Sequence, residues 1–470
     1  MAATTLRYRI EDARSLVVGV GRPVPLLDGR AVPYVNLDNA ASTPPLRPVL
    51  DKLNQFMEWY SSVHRGAGYK SRVATKAYDE AHEIVADFLG ADLRYNTVIF
   101  VKNATEAVNK LAHRMARIDG LVIATGMEHH SNDLPWRRTG PMDYVEVDRR
   151  GALIPEDLEE KLKRHQGRVK LVAVTGASNV TGFTNPIHEL AALAHRYGAK
   201  ILVDVAQLAP HRRVDMRPDD DPTHLDYLVL SGHKIYAPYG TGALIGPKST
   251  FLSGDPDLVG GGTVDIVTVD SVAWTGLPDK EEAGSPNVAG AVTMAKAMLV
   301  LKDIGMDQVA EHEKSLTRYA LERMADIPGL RVYGSADPDE VGGRLGVISF
   351  NLGDTPHALV AAVLAYEAGV GVRNGCFCAH PYLLKLLAVP EDEAKRRRDE
   401  ILRHDRTNLP GMVRASFGIY NDRGDVDRLV DALRLISGRS YRGRYRLEPF
   451  HGAYYPEGFE WALGEAWGWE

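Results

Sequence analysis

Lys234 lies at a position where its amine could take part in a reaction instead of being fully solvated. It follows the apolar segment 227–230, which has the length of a buried strand, and a glycine-rich loop is predicted to follow it. At such a strand end an amine is partly desolvated, loses its proton more readily and can form a Schiff base with a carbonyl group. The alternative is an ordinary loop lysine whose ammonium group reaches solvent. The polar residues that accompany Lys234 must therefore decide between the two.

Asp204 is the first of these residues, because it ends the apolar segment 201–203. A carboxylate buried there needs a cationic partner, and a protonated pyridine nitrogen would supply one and keep its ring an electron sink. Gln207 follows closely and could hydrogen-bond a phenolic oxygen on the same ring. The alternatives are an aspartate that caps a helix and a glutamine that faces water.

A phosphate-binding turn is the second feature. Ala104 and Thr105 lie between an apolar segment and a predicted helix, where backbone N–H groups and the Thr105 hydroxyl can bind a phosphate. Many strand-to-helix turns have a similar composition. His129 follows another apolar segment and could lie over an aromatic ring. His129 and His130 have no third ligand at a suitable spacing, so the sequence predicts no metal site.

Both cysteines of the chain, Cys376 and Cys378, lie within residues 373–381. A thiolate close to Arg373, in a loop that contains glycine, would be a nucleophile. The alternatives are a structural pair and a metal clip, although the spacing is not the CxxC of zinc sites.

Three further polar residues could contact a substrate. Arg414 lies within a predicted strand, where a buried guanidinium needs an anion and could bind a carboxylate bidentately. Asn179 follows another strand-like segment, and His64 lies in a loop with several glycines.

The elements that must position these residues alternate along the chain. Strands are predicted at 97–101, 121–124, 171–175, 201–205 and 227–230, and helices at 48–60, 71–90, 107–118 and 187–197. Apolar strands separated by helices indicate a mostly parallel sheet with both faces covered. Ligands bind beyond the carboxyl ends of such strands. We therefore expect a shared edge for Thr105, His129, Asn179, Asp204, Gln207 and Lys234.

The 470-residue chain is too long for one compact core. We predict an N-terminal segment (1–35) that packs with the small domain, a large domain (36–300), a small α+β domain (301–440) and an aromatic-rich tail (441–470). Residues 258–290 are predicted to be loop, and a helix at 288–304 leads out of the large domain. The charged segment 391–406 is predicted as a helix or loop, with a docking surface as the alternative. The tryptophans of the tail should pack on the body or on a second subunit.

Composition excludes several classes of protein. A net charge of −6 argues against nucleic-acid binding, and no apolar run approaches the length of a membrane span. Two cysteines in this length suit a reducing compartment, so we expect a cytoplasmic protein.

In this order, the segments resemble the class V aminotransferase group of fold-type I pyridoxal-phosphate enzymes, and most of all the cysteine desulfurases and selenocysteine lyases of the SufS type. The resemblance covers about residues 35 to 435. It is most specific at 128–132, 204–207, 231–234 and 373–381. The last segment matches the family pattern Arg-x-Gly-x-x-Cys-Ala-x-Pro, which places the family's nucleophile on Cys378.

The resemblance implies a role for each candidate residue. Lys234 would form the Schiff base with pyridoxal 5'-phosphate, Asp204 would pair with its pyridine nitrogen, and Gln207 would contact its phenolic oxygen. His129 would stack on the ring. The phosphate would be bound by the turn at Ala104 and by Thr105, Ser231, His233 and, from the second subunit of a homodimer, Ser285. The substrate would be bound by Asn179, Arg414, Arg373 and His64.

The implied reaction converts L-cysteine into L-alanine and leaves the sulfur as a persulfide on Cys378, from which a protein acceptor could take it. Alternatives within the group are a selenocysteine lyase, another C–S lyase, an epimerase and an aminotransferase. A non-catalytic sulfur scaffold is a further alternative, although retention of Lys234 argues against it. The chain departs from the SufS type in having Cys376 where a histidine is usual, in a longer interval before Arg414, and in its aromatic tail.

Overall fold

The structure is a computed structural model that describes residues 8–469. The chain forms two compact units. Of the described residues, the first unit contains 8–18, Ala40–Asn179 and Phe183–His312, and the second contains Gly19–Asn39, Val180–Gly182 and 313–469. The predicted domain boundaries stay predictions.

The strands within residues 8–469 are β1 (Pro23–Pro25), β2 (Ala31–Pro33), β3 (Val35–Asn36), β4 (Asn96–Val101), β5 (Leu121–Thr125), β6 (Met142–Val145), β7 (Val169–Thr175), β8 (Lys200–Asp204), β9 (Tyr227–Ser231), β10 (Gly242–Pro247), β11 (Val264–Val267), β12 (Val272–Trp274), β13 (Leu330–Tyr333), β14 (Val347–Leu352), β15 (Val370–Gly371), β16 (Arg373–Gly375), β17 (Met412–Ser416), β18 (Tyr445–Glu448) and β19 (Ala453–Pro456).

The α-helices of the same residues are α1 (Ala13–Leu16), α2 (Arg47–Met57), α3 (Tyr69–Phe88), α4 (Ala104–Met115), α5 (Leu134–Thr139), α6 (Pro155–Arg164), α7 (Ile187–Arg196), α8 (Lys248–Leu252), α9 (Val288–Ile304), α10 (Met306–Met324), α11 (His357–Ala368), α12 (His380–Leu386), α13 (Glu391–Leu402), α14 (Arg423–Ser437) and α15 (Leu463–Ala466). In this part of the chain, none of the helices is both long enough and apolar enough to span a membrane.

A seven-stranded sheet in the order β4-β10-β9-β8-β7-β5-β6 forms the centre of the first unit. Its strands β5 to β9 pair in parallel, which confirms the predicted mostly parallel sheet. Strands β4 to β9, apart from β6, are almost entirely buried, as their continuous apolar sequences predict. Strand β6 was not predicted, because it lies at the sheet edge and is only partly buried.

The predicted loop after Lys234 spans residues 235–241, and strand β10 then contains the glycines at positions 242 and 246. It runs antiparallel to both β4 and β9, and Ala243, Leu244 and Ile245 are fully buried within it. Its first residue, Gly242, lies so close to its neighbours that a Cβ atom would come within 2.5 Å of the Leu230 carbonyl oxygen. This glycine therefore permits close strand packing rather than a loop.

The orientation of β10 decides which strand ends meet. Because β10 is antiparallel to both of its neighbours, β4 and β9 point the same way, and Gly242 pairs with Val101 and Ser231 at their carboxyl ends. Thr175 and Asp204 pair with each other at the ends of β7 and β8. The carboxyl ends of these four strands therefore form one edge of the sheet.

The second unit is built around an antiparallel sheet in the order β13-β14-β17-β16. Apolar side chains of β14 and β17 form one buried cluster with those of α10, α11 and α14. In α14 the buried residues recur with helical spacing, and Asp422 and Asp425 form a capping box at its start. The predicted α+β character of this region is confirmed.

Other predicted elements differ in detail. Residues 258–290 are not entirely loop, because β11 and β12 form a hairpin there. The charged segment 391–406 forms the exposed helix α13 and a short irregular stretch. In the tail, Trp461 stacks on Tyr366 with ring centroids 4.0 Å apart, whereas Trp467 and Trp469 are 71% and 95% exposed. The predicted packing on the body is thus confirmed for Trp461, and packing of Trp467 and Trp469 on a second subunit stays a prediction.

Candidate active site

Lys234 and Asp204 lie at the sheet edge formed by the strand ends. Lys234 is the last residue of a 3-10 turn that follows β9, and it is half-buried. Asp204 is only 5% exposed, and its Oδ1 accepts a hydrogen bond of 2.9 Å from the Ala206 amide. Burial raises the pKa of Asp204, while this hydrogen bond and the positive charge of Lys234 oppose the rise. The two residues therefore interact electrostatically, and a cation next to Asp204 favours its ionised form.

The N-terminus of α4 lies at the same edge. The Ala104 amide donates to Ser231 Oγ at 2.9 Å, and the Asn103 side chain caps the helix by accepting from the Glu106 amide. Thr105 is exposed, and its hydroxyl lies 2.7 Å from that of Ser131. Hydroxyl groups and a helix N-terminus are thus brought together, as an anion site requires.

Ser131 links Thr105 to His129. The Ser131 amide donates to His129 Nδ1 at 3.1 Å, and a backbone N–H can only donate, so Nδ1 accepts and a neutral ring carries its proton on Nε2. Ser131 Oγ is 3.0 Å from the same nitrogen. Sequence reasoning gave Ser131 no role, although the motif at 128–132 contains it.

Glu128 is the second residue that sequence reasoning missed. Its buried carboxylate accepts from the Thr125 hydroxyl, the Asn132 side-chain amide and the Thr175 backbone amide, at 2.6 to 2.8 Å. Burial raises the pKa of Glu128 to about 8, and the charge of Asp204 acts in the same direction. Glu128 joins the turn before His129 to the end of β7 and so positions that turn.

His233 and Gln207 are fixed by the segment that follows residue 39. The carbonyl oxygen of His233 accepts from the Thr43 amide and the Ser42 hydroxyl. Burial and the positive charge of Lys234 lower the pKa of His233 to about 4, so its ring is neutral at physiological pH. Gln207 Nε2 donates to the Ala40 carbonyl oxygen at 2.7 Å.

Three further predicted residues are Asn179, His64 and Ser285. Asn179 follows β7 and is 5% exposed. His64 and Ser285 are exposed and line one open cleft of about 330 Å³, together with Asp279 and Glu282. His64 Nε2 is 3.2 Å from an Asp79 oxygen. The described contacts thus place His64 and Ser285 together in this cleft.

In the second unit, the two cysteines have different surroundings. Cys378 is exposed, and both it and Phe377 have left-handed backbone conformations, with φ of 56° and 51°. Cys376 donates from Sγ to the Pro410 carbonyl oxygen at 3.1 Å. Burial, followed by the nearby Cys378, raises the pKa of Cys376 to about 11. Cys378 is therefore the thiol presented to solvent, and Cys376 is the one held by the fold.

Arg414 lies in β17 and is 2% exposed. Its Nη2 donates to Asp38 Oδ1 at 2.9 Å, and its guanidinium carbon lies 4.9 Å from the centre of the Phe377 ring. Burial lowers the pKa of Arg414, and Asp38 opposes that effect. Arg373 is exposed and pairs in register with Arg414. Asp38 was missed as a partner because only tertiary structure brings it to β17.

The residues of the first unit fit pyridoxal phosphate by their chemistry. Lys234 supplies a half-buried amine, and Asp204 supplies a buried carboxylate that requires a cation. The N-terminus of α4 with Thr105 and Ser231 supplies an anion site, and His129 supplies an aromatic ring held by Ser131.

Comparison with known proteins identifies the family. The aminotransferase class-V profile matches residues 35–429. A cysteine desulfurase from Haloferax volcanii is 37% identical over 417 residues, which cover 86% of this chain and 90% of that protein. A probable cysteine desulfurase from Halalkalibacterium halodurans is 35% identical over 411 residues, which cover 85% of this chain and 92% of that protein.

Solved structures agree with these sequence relatives. The apo structure of a cysteine desulfurase from Thermococcus onnurineus NA1 matches with a TM-score of 0.78 and 30% identity, over 93% of this chain and 100% of that one. The cysteine desulfurase CsdA from Escherichia coli matches with a TM-score of 0.73 and 27% identity, over 91% and 98%. The predicted fold-type I architecture is confirmed. The chain is therefore a member of the aminotransferase class-V family of enzymes.

Proposed function

We propose that this protein is a pyridoxal-phosphate-dependent cysteine desulfurase, which converts L-cysteine into L-alanine and retains the sulfur as a persulfide on Cys378. The observation that carries the proposal is the exposed Cys378 thiol, held by a left-handed turn in the unit that also contains the buried Arg414. The names of the relatives, which are cysteine desulfurases from several organisms, support the same activity.

The first unit would hold the cofactor. Its phosphate would be bound by Ala104, Thr105, Ser231 and His233, and its ring by Asp204, Gln207 and His129, with Lys234 at its carbonyl carbon. When bound, pyridoxal phosphate supplies an electron sink for negative charge that develops at the substrate α-carbon. Asp204 would keep the cationic ring nitrogen protonated. Lys234 Nζ would also accept the α-proton when it is not bonded to the cofactor, since a half-buried amine can act as a general base.

The second unit would supply substrate binding and the nucleophile. Arg414 would bind the substrate carboxylate, and Asn179 of the first unit, with Arg373 and His64, would complete the contacts. The Cys378 thiolate would attack the substrate sulfur, so that a sulfur–sulfur bond forms as the carbon–sulfur bond breaks. The electron pair of the broken bond stays with the substrate carbon, which takes up a proton. One L-cysteine and one thiol thus give one L-alanine and one persulfide, without an external reductant.

We further propose that the enzyme is a cytoplasmic homodimer in which Ser285 of each chain contacts the phosphate bound by the other. The exposed position of Ser285 in the open cleft supports this arrangement. A mixed dimer of Lys234→Ala and Ser285→Ala chains tests it. If Ser285 acts across the dimer, one of the two sites in the mixed dimer loses both residues and the other keeps both, so about half of the sites should retain full cofactor affinity. Cofactor affinity that is weakened equally at both sites would contradict the proposal.

The activity is tested by measuring alanine released from L-cysteine, selenocysteine and cysteine sulfinate. The wild type should release alanine from L-cysteine, and Cys378→Ala should reduce that rate by at least about 100-fold. Cys376→Ser is the matched control, because it removes a thiol that is buried and held by Pro410.

Alanine release from L-cysteine that is unchanged in Cys378→Ala would contradict the proposal. A wild-type protein that cleaves selenocysteine but releases no alanine from L-cysteine would instead identify a selenocysteine lyase. Purified protein that carries no pyridoxal phosphate would favour the sulfur scaffold.

A further inference from the structure

His195, His224 and Asp226 form a cluster in the first unit that the proposed function does not use. His195 Nε2 is 2.9 Å from Asp226 Oδ2, and His224 Nε2 is 3.8 Å from Asp226 Oδ1. One potential ligand atom from each of the three residues lies within 4.8 Å of the other two. His195 belongs to α7, while the other two residues immediately precede β9.

The cluster lies away from the candidate active site. Asp226 and Lys200 stand at the amino-terminal ends of β9 and β8, whereas Asp204 and Lys234 stand at or beyond the carboxyl ends of the same strands. At about 3.3 Å per residue, the length of β8 separates the two sheet edges by about 13 Å. A ligand bound to the cluster would therefore not be the cofactor or the substrate.

Both histidine rings are oriented by backbone carbonyl groups. His195 Nδ1 is 2.8 Å from the Pro222 carbonyl oxygen, and His224 Nδ1 is 2.6 Å from that of Asp221. A carbonyl oxygen can only accept, so each Nδ1 carries a proton and a neutral ring leaves its lone pair on Nε2. Metal-binding histidines are commonly fixed in this way through their second nitrogen.

With both rings neutral, the two lone pairs face the Asp226 carboxylate, which also accepts from the Ile201 amide at 2.9 Å and pairs with Lys200. A shared cation would remove the repulsion between these lone pairs and the carboxylate. Protons would supply positive charge, but the rings stack with centroids 4.3 Å apart and an interplanar angle of 24°, so two imidazolium ions would repel each other. One divalent cation satisfies all three ligands with both rings neutral. Zinc binds nitrogen and oxygen at about 2.0 to 2.2 Å, which places neighbouring ligands about 3.3 Å apart. The observed 2.9 and 3.8 Å lie on either side of that value.

We propose that His195, His224 and Asp226 bind one zinc-type divalent cation, with water in the fourth position. The bound cation would hold α7 against the segment that leads into β9, because the ligands come from both of these elements. Lys200 is the competing cation, since its Nζ lies 3.1 Å from Asp226 Oδ1. Its side chain is 43% exposed, so it can move into solvent when the metal binds.

Cobalt and zinc titrations of the holoenzyme test the proposal. After dialysis against a chelator, the protein should bind one Co²⁺ per chain with the visible bands of a tetrahedral site. His195→Ala and His224→Ala should each weaken binding at least tenfold. His188→Ala is the matched control, because His188 Nδ1 also contacts a carbonyl oxygen, that of Thr223, but His188 lies outside the cluster.

Two further variants make the test specific. The double variant Cys376→Ser, Cys378→Ser removes the only thiols of the chain and should bind Co²⁺ as the wild type does. Lys200→Ala removes the competing charge and should tighten binding by roughly threefold to tenfold, which loss of a merely structural contact would not do.

The proposal is overturned if the holoenzyme binds no Co²⁺ or Zn²⁺, or if His195→Ala and His224→Ala bind as tightly as the wild type. Binding that disappears in the cysteine double variant would place the metal on the thiols and overturn it as well. So would a Lys200→Ala variant whose affinity is equal to or weaker than that of the wild type. Circular dichroism and cofactor absorbance establish that each variant is folded.

Discussion

Arg414 and Asp38 form an ion pair in which Arg414 Nη2 donates to Asp38 Oδ1 at 2.9 Å, although Arg414 is only 2% exposed. A buried guanidinium is costly unless an anion accompanies it. Asp38 supplies that anion, and it fixes the direction of the guanidinium fork. The pair would therefore prepare Arg414 to receive the second carboxylate that the proposed function requires.

Replacing Arg414 by lysine should raise KM for L-cysteine by about tenfold to 100-fold. Lysine keeps the charge but cannot donate two parallel hydrogen bonds to a carboxylate. Steady-state alanine release measures the change. Arg331→Lys, at an exposed position of β13 in the same sheet, is the comparison, and an equal effect there would mean that Arg414 has no special role.

Asp38→Asn tests the positioning of Arg414. Asparagine still offers an oxygen that can accept a hydrogen bond, but it removes the negative charge. We expect KM to rise by roughly threefold to tenfold with little change in kcat, because the guanidinium is less firmly oriented before the substrate arrives. A large fall in kcat at constant KM would contradict this role.

Asp204→Asn should leave cofactor bound but lower kcat by on the order of 100-fold, because the neutral amide no longer stabilises a cationic ring nitrogen. Lys234→Ala should abolish both the Schiff-base absorbance and turnover. Absorbance spectra and single-turnover alanine formation measure the two effects. If Asp204→Asn retained the wild-type kcat, the pairing of Asp204 with the ring nitrogen would be wrong.

The two thiols should react at different rates with iodoacetamide. Burial raises the pKa of Cys376 from 9.0 to about 11, so at pH 8 its thiolate fraction is about 100-fold below that of a thiol at 9.0. We expect alkylation at the exposed Cys378 first, with Cys376 labelled only as the pH approaches 11. Mass spectrometry of the labelled peptides measures both. Faster labelling of Cys376 at pH 8 would contradict the burial of its thiol.

Glu128 should make the free energy of unfolding depend on pH. Burial raises its pKa from 4.5 to about 8, so the folded protein keeps a proton that the unfolded chain releases between these values. The stability that this proton contributes is present below pH 4.5 and is lost as the pH rises through 8. Glu128→Gln cannot ionise, so it should be more destabilising at pH 5 than at pH 8.5, by on the order of 3 kcal/mol.

Unfolding of the holoenzyme at the two pH values measures this difference for Glu128→Gln. The carboxamide also places an N–H group near the Asn132 amide that donates to Glu128, but this cost is the same at both pH values. Glu160→Gln, on the exposed surface of α6, controls for the loss of one charge. A greater destabilisation by Glu128→Gln at pH 8.5 would show that the carboxylate is ionised in the folded protein.

The strands of the central sheet and the residues at their ends could be predicted because each signal is local. A continuous apolar segment predicts a buried strand wherever it pairs, and Asp204 and Lys234 follow such segments directly. The motif at 231–234 and the cysteine segment at 373–381 likewise depend on residues adjacent in the chain. These signals were sufficient to indicate the fold and the family.

Other parts of the site could not be predicted, because they depend on residues far apart in the chain. Asp38 meets Arg414 only when the segment after β3 lies beside β17, where Asp38 pairs with Ser416. The contact of Ala104 with Ser231 requires β4 and β9 to point the same way, which the unexpected antiparallel β10 between them determines.

The sequence by itself thus determined the family and predicted which residues would carry the chemistry, since residue type and strand position are properties of short segments. Tertiary structure decided their partners and their ionisation. The pKa of Glu128 depends on burial, and the distinction between Cys376 and Cys378 depends on which thiol reaches a backbone carbonyl. The cluster of His195, His224 and Asp226 arises in the same way, because α7 and the segment before β9 must fold together before these side chains can meet.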